Sequence, residues 1–462
     1  MDSPTKPDTA SRGHARVQRL LDGPLGPTLL WLSLPNIVLA AASTAMIVAD
    51  AWYVGRLGVA PLASLALVFP IQQLMAMMSA GAMGGGIASA IARALGAGDR
   101  PRAEALVLHA LIIALAMAAL YTLLFAVFAR PVFALFGGRG AALDGAVGYA
   151  EILFGGAVVT CVTNSLASVL RGTGNMIVPA ATLIATSVLH VVLSGALTLG
   201  WLGLPSLGVR GPAASFVATV LLAGAVMVGY LASGAAGLSL RLRGVTIQRA
   251  LFADILRVGG VASGNALLTI ATIVIVTALV GRYGTAALAG YGLGSRLELM
   301  LIPIAFGVGG ALTAIVGTNF GARRFARTRR AAWIGGLAVF AVTAALGVTV
   351  SVAPHLWIGL FTDDAAAAQI GRLYLRIAGA CYAFFAAGMT LYFASQGTGT
   401  MLWPFTAGMI RLAVAAGIGA AVALWLDADL AWLFGCVALG LVLFGTVIAY
   451  SLFTRAWNPE QR

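Results

Sequence analysis

From residue 28 to residue 453 the chain repeats one pattern, a long apolar run closed by a short polar turn. Each run reaches the roughly 20 residues that a helix needs to cross the hydrocarbon core of a bilayer. Twelve spans are read, at 28–52, 61–92, 103–128, 144–170, 177–200, 212–232, 252–281, 286–320, 329–352, 367–396, 402–425 and 430–453. Of the 462 residues 60% are hydrophobic and 9% charged, where a soluble domain carries about 25% charge. The expected fold class is an all-α polytopic membrane protein, with a lipid bilayer as its solvent.

The net charge of +13 invites a nucleic-acid reading, which its distribution removes. With the N-terminus inside, the inner side collects Lys6, Arg12, Arg16, Arg19, Arg93, Arg100, Arg102, Arg171, Arg241, Arg243, Arg249 and Arg257. Arg323, Arg324, Arg327, Arg329, Arg330, Arg455 and Arg462 join them, making 19 of the 28 basic residues. The outer side receives Arg56, Arg130, Arg139, Arg210, Arg282, Arg372 and Arg376. An excess of arginine on one side orients membrane helices, so both termini are expected in the cytoplasm. Residues 1–27 read as a flexible inner tail with a short interfacial helix at 15–22, and they lack a cleavable signal pattern.

The chain also resembles itself. "VGRLGVAPLA" at 54–63 aligns with "VGRYGTAALA" at 280–289, and "LGAGDRPRAEA" at 95–105 with "FGARRFARTRR" at 320–330. Tyr149 aligns with Tyr374, and "RGTGNMIVP" at 171–179 with "QGTGTMLWP" at 396–404, so an offset of 225–226 holds throughout. Six spans per repeat is an even number, so both copies enter the membrane in the same sense. The halves are then related by an axis along the membrane normal. The expected organisation is a tail at 1–27, a six-helix bundle at 28–232, a linker at 233–250, a second bundle at 251–455 and a tail at 456–462. Two such bundles around a cleft suit alternating access.

Few polar groups interrupt the spans. Asp50 stands near the end of the first, where a carboxylate is costly unless water, a proton or a partner relieves it. It reads either as a functional acid or as a snorkelling one paired with Arg56. Its repeat counterpart, Val276, carries no acid. In the fifth span His190 and Ser194 are four apart and share a helical face. Glu298 and Arg296 are two apart and cannot meet on one helix, so a pairing of Glu298 with another span is expected, with Arg411 in such a network. Cys161, Cys381 and Cys436 lie in separate spans without metal-ligand spacing. The glycine-rich "SAGAMGGGIASA" reads as close helix packing, with helix bending as a second use. No nucleotide-binding loop and no HExxH or GxSxG motif is found. No enzyme, cofactor or metal is expected, and the chain is expected to be a monomer.

The motifs "VADAWYVGRLG", "ARALGAGDRPRA", "NSLASVLRGTGNMIVPA", "LGVRGPAAS", "LAGYGLGSRLE" and "GTNFGARR", in this order and spacing, resemble the multidrug and toxic compound extrusion (MATE) family over about residues 25–455. The resemblance implies a V-shaped pair of six-helix bundles in a bacterial inner membrane. It also implies antiport, in which H⁺ or Na⁺ flows inward as bulky amphipathic, often cationic, molecules leave. Asp50 matches the family's cation-coupling aspartate of the first span, and Tyr149 and Asn164 match polar positions of its DNA-damage-inducible branch. The fifth span departs from that branch: His190 and Ser194 stand where an Asn and an Asp are common, which puts Na⁺ coupling in doubt and lets histidine share the proton role. The expected coupling set is therefore Asp50, Asn164, His190, Tyr149 and Ser194. The expected substrate cleft includes Gln72, Met75, Asn265, Arg296 and Glu298. A flippase for a lipid-linked precursor, from the same superfamily, is the alternative.

Overall fold

A computed structural model describes residues 9–238, 246–362, 364–425 and 429–460. Lys6, Arg241, Arg243 and Arg462, counted above for topology, lie outside the described residues. Eleven single helices are long and apolar enough to cross a membrane, and Gly140–Gly155 with Ala157–Gly172, bent by 48°, forms a twelfth span. The first half contains Leu25–Gly55, Val59–Gly96, Arg100–Leu135, the bent pair, Ile177–Leu199 and Gly211–Ala232. The second contains Arg249–Gly281, Thr285–Gly321, Phe325–Val352, Ala365–Thr398, Leu402–Leu424 and Leu430–Ser451. Nine of the twelve spans overrun their sequence-based bounds, because a helix continues past its apolar run until the chain turns, while those at 177–199, 402–424 and 430–451 stop one or two residues short. Asp99, for example, accepts from the Arg102 backbone N–H at 3.0 Å and starts the third span.

The repeat is visible in backbone conformation. Gly58 and Gly284 have φ of 116° and 106°, and Gly174 and Gly399 have 78° and 80°. The turn after the second span needs a left-handed residue, and Gly98 supplies it at φ 78°. The equivalent turn after the eighth uses Arg323 at φ 58°, the one non-glycine with positive φ among the described residues. A side chain there is strained by roughly 1–2 kcal/mol.

The halves meet along the C-terminal parts of the second and eighth spans. A Cβ on Gly96 would run into the Thr318 carbonyl, and one on Gly321 into the Arg93 carbonyl. These two approaches are images of each other under the 225-residue offset. They place the turns that carry Arg100 and Arg323 at one end of the molecule, called here the basic end. At that end Arg93 Nη2 pairs with Asp254 at 2.9 Å and Arg93 Nη1 donates to the Gln396 and Gly397 carbonyls at 3.3 and 3.2 Å. Arg102 reaches the other oxygen of Asp254 at 3.0 Å. Moving away from that end, the last hydrogen bonds across the seam are Gln396 Nε2 to the Gly81 carbonyl at 3.2 Å and Asn36 Nδ2 to the Gly307 carbonyl at 3.5 Å. Beyond that level no hydrogen bond or ring contact joins the halves among the described residues, so the bonds between the halves are gathered toward the basic end.

From Thr9 on, the N-terminal segment is helical over a longer stretch than the expected 15–22. Helix Thr9–Asp22 lies across the basic end rather than fraying, because backbone oxygens at its exit find cationic and amide partners. Asn319 donates to the Leu20 carbonyl at 3.0 Å, Arg324 to that of Leu21 at 2.8 Å, and Arg327 to that of Gly23. Arg16 in turn donates to the Ala235 carbonyl at 3.0 Å.

Because the seam depends on backbone approach at Gly321, Gly321→Val must push the two spans apart. Thermal unfolding in detergent should show a loss of about 1–3 kcal/mol, the usual scale for overpacking. A variant as stable as the parent would contradict the seam.

Candidate functional site

The first span packs against the fifth, and this contact carries the polar centre of the first half. Asp50 is 9% exposed and His190 fully buried. Nε2 of His190 lies 3.0 Å from Oδ1 and 3.1 Å from Oδ2 of Asp50, and Ser194 donates to Oδ1 at 2.5 Å. The four-residue spacing read from the sequence thus presents both side chains to one carboxylate. Arg56 takes no part; its guanidinium stacks on the Trp52 ring at 3.9 Å.

Ser215 of the sixth span completes the network. Its Oγ is 3.2 Å from the His190 carbonyl and 3.1 Å from Nδ1. Where Ser215 donates to Nδ1, Nε2–H of a neutral imidazole donates to Asp50; where Nδ1–H donates to Ser215, a proton shared between Nε2 and the carboxylate makes the same bridge. Sequence reasoning missed Ser215, although it closes the quoted motif "LGVRGPAAS".

Tyr149 and Asn164 are not hydrogen-bonded to Asp50. Tyr149 donates to Gln72 Oε1 at 3.4 Å, and Asn164 to Ser79 Oγ at 2.8 Å, so both hold the second span to the fourth. The repeat maps Tyr149 and Gln72 onto Tyr374 and Glu298. In the second half the pair is Tyr374 donating to Glu298 Oε2 at 2.9 Å, with Arg411 on Oε1 at 3.0 Å. The Arg411 guanidinium also lies 4.5 Å from the centre of the Phe385 ring. Glu298 is therefore committed inside its bundle, as its pairing with another span anticipated, and does not line a cleft. Met75 is likewise not a cleft residue: it is 1% exposed in the core of the first half, because a helix apolar on every side gives no sign of which face turns inward. Asn265 is buried against Gly408 of the eleventh span. Arg296 is exposed and Gln72 half-buried. Among the described residues no group of three or more His, Cys, Asp or Glu could hold a metal ion.

Twelve helices in two like-oriented bundles, bonded to each other toward one end and carrying a buried acid–imidazole pair in the first half, define a membrane transporter. A profile of the MatE family matches residues 35–195 and again 262–423, one match per half, and the chain belongs to this family. The Bacillus subtilis "Probable multidrug resistance protein YoeA" is 26% identical over 355 residues, 76% of either chain. A Shewanella oneidensis "FAD transporter" is 25% identical over 321 residues, 68% of this chain and 69% of its own. A solved MOP superfamily transporter from Pyrococcus furiosus superposes with a TM-score of 0.88 at 23% identity, covering 96% of this chain and 99% of that one.

Ser194→Ala removes a charge-assisted hydrogen bond from a buried carboxylate and should cost about 1–3 kcal/mol in thermal unfolding. Ser43→Ala removes only a bond to the Leu39 carbonyl within one helix, and should stay within about 0.5 kcal/mol of the parent.

Proposed function

We propose that the protein is a proton-coupled antiporter of the bacterial inner membrane that exports amphipathic small molecules by alternating access. On this reading it works as a monomer, both termini are cytoplasmic and the basic end faces inward. The halves, 28–232 and 251–455, rock as units about the linker at 233–250. The observation that carries the reading is the bridge from Asp50 to His190 and Ser194, buried in one half and absent from the other.

The first span has two attachments. Near its outer end Asp50 ties it to the fifth span; near its inner end Asn36 ties it across the seam to Gly307. Pro35 stands beside Asn36 inside the helix and removes one backbone hydrogen bond, a local weakness at which the span bends. A proton from the outside that binds between Asp50 and His190 joins the first span to the fifth. Its loss to the inside sets the first span free. Substrate binding and proton binding favour different arrangements of this helix, and reciprocal linkage then makes each expel the other. A proton suits this donor set better than Na⁺, because an imidazole nitrogen occupies the side of the carboxylate that a metal ion would need.

Reconstitution in liposomes tests the coupling. Asp50→Asn should abolish dye efflux driven by an imposed pH gradient while leaving the protein folded. His190→Asn should keep substantial activity but alter its pH dependence between about pH 5.5 and 8.5, a range chosen around free imidazole at about 6.5. Efflux that follows a Na⁺ gradient instead, or survives in Asp50→Asn, would overturn proton coupling. Scrambling of a lipid-linked precursor without dye efflux would favour the flippase alternative.

A further inference from the structure

Arg171 closes the fourth span and is 6% exposed, yet among the described residues it makes no ion pair and donates no hydrogen bond. Its Nε is buried without a partner. Its guanidinium instead faces the Phe306 ring of the other half, 5.7 Å from the ring centre. The repeat explains the direction. Arg171 corresponds to Gln396, and Phe306 to Gly81, so each half sends one long polar side chain across the seam to the same register position of its neighbour. Gln396 finds the Gly81 carbonyl there; Arg171 finds an aromatic face.

Two acceptors at this level are also unfilled. The Nδ2 of Asn36 and the Nε2 of Gln396 are turned to backbone carbonyls, which leaves Asn36 Oδ1 and Gln396 Oε1 buried and without donors. Phe306 lies 5.3 Å from Phe393, one turn before Gln396, and precedes Gly307, which accepts from Asn36. Positions 81 and 306–307 thus set one level of the seam. Buried polar groups are normally satisfied, and a donor cation and two acceptors left open along one level of the seam between the halves invite a ligand.

We propose that Arg171, with the amide oxygens of Asn36 and Gln396, binds the anionic end of the exported molecule: a carboxylate or phosphate flanked by an N–H or O–H donor. This deepens the export reading above and reverses the expected preference for cations. Arginine is suited to the role, because its planar fork meets two oxygens at once and it stays charged. In the present state the seam is shut over the three groups, as release to the outside requires. Parting of the basic end, where Arg93 holds Asp254, exposes them to the cytoplasm for loading.

Equilibrium binding to detergent-solubilised protein, which needs no gradient and so stands apart from the coupling test, decides the matter. The probes are dansylglycine, its methyl ester and dansylcadaverine, which share a fluorophore and carry an anionic, a neutral and a cationic end. Wild type should bind dansylglycine at least about tenfold tighter than the ester, the scale of one charged hydrogen bond. Arg171→Gln, which installs the residue of the other half, should reduce that ratio to about one with the ester unaffected. Arg171→Lys should retain part of it. Asp254→Asn, by loosening the basic end, should strengthen dansylglycine binding. Equal binding of acid and ester by wild type, tightest binding of dansylcadaverine, or a ratio that survives in Arg171→Gln would overturn the proposal. Should Arg171→Gln fail to fold, the wild-type ratio and the Arg171→Lys variant still decide it. In that case a lysine variant indistinguishable from wild type for all three probes would return Arg171 to a packing role at the fourth span's carbonyl end.

Discussion

The second and eighth spans cross where neither can carry a side chain. Gly96 lies on the Thr318 backbone and Gly321 on that of Arg93, and everything at the basic end is arranged around this contact. It brings the two bundles to backbone distance at this end, so Arg93 can reach Asp254 and two carbonyls of the tenth span, and Arg171 and Gln396 can cross to opposite halves. Inside a bilayer the hydrophobic effect does little to hold one apolar helix against another. Close packing and a few directional bonds must do so, which suits the opening of the seam that the proposed mechanism requires.

The bundles are alike in backbone and unlike in chemistry. Tyr149 and Gln72 form a neutral pair where Tyr374 and Glu298 form a charged one, completed by Arg411. Conversely, the positions of Asp50, His190 and Ser194 are occupied in the second half by Val276, Ala415 and Gly419. One bundle thus contains an acid whose partner is an imidazole, a group that gains and loses protons readily. The other contains an acid whose partner is a guanidinium, which does not. The first suits a bundle that responds to protons, the second a bundle that keeps its shape.

Much of this was readable from residues alone, for physical reasons. The spans follow from hydropathy, and the repeat from motifs whose glycines occupy left-handed turns, so their spacing could not drift. His190 and Ser194 were found because a four-residue spacing on a helix fixes a common face, and a carboxylate in lipid needs such a face opposite it. Where sequence gave no guide, the cause was the solvent. A span apolar on all sides does not reveal which side meets lipid, core or seam, so Met75 and Glu298 were read as lining a cleft when they lie inside bundles. Arg171 was counted as a topological charge at a helix end, and only the packing of two halves shows that it points inward.

Helix Thr9–Asp22 lies outside the repeat, and it touches both halves at once: Tyr230 and Ala235 of one side through Arg16, and Asn319 and Arg324 of the other through its C-terminal carbonyls. Such a clasp has no counterpart at the other end among the described residues. On the alternating-access reading proposed above, its grip exists only while the basic end is shut, so it would lengthen the dwell in this state without entering the chemistry of either ligand. The tail would then act as a timer: shortening it, or fusing a bulky tag to it, would change how long each turnover waits while leaving what is carried the same.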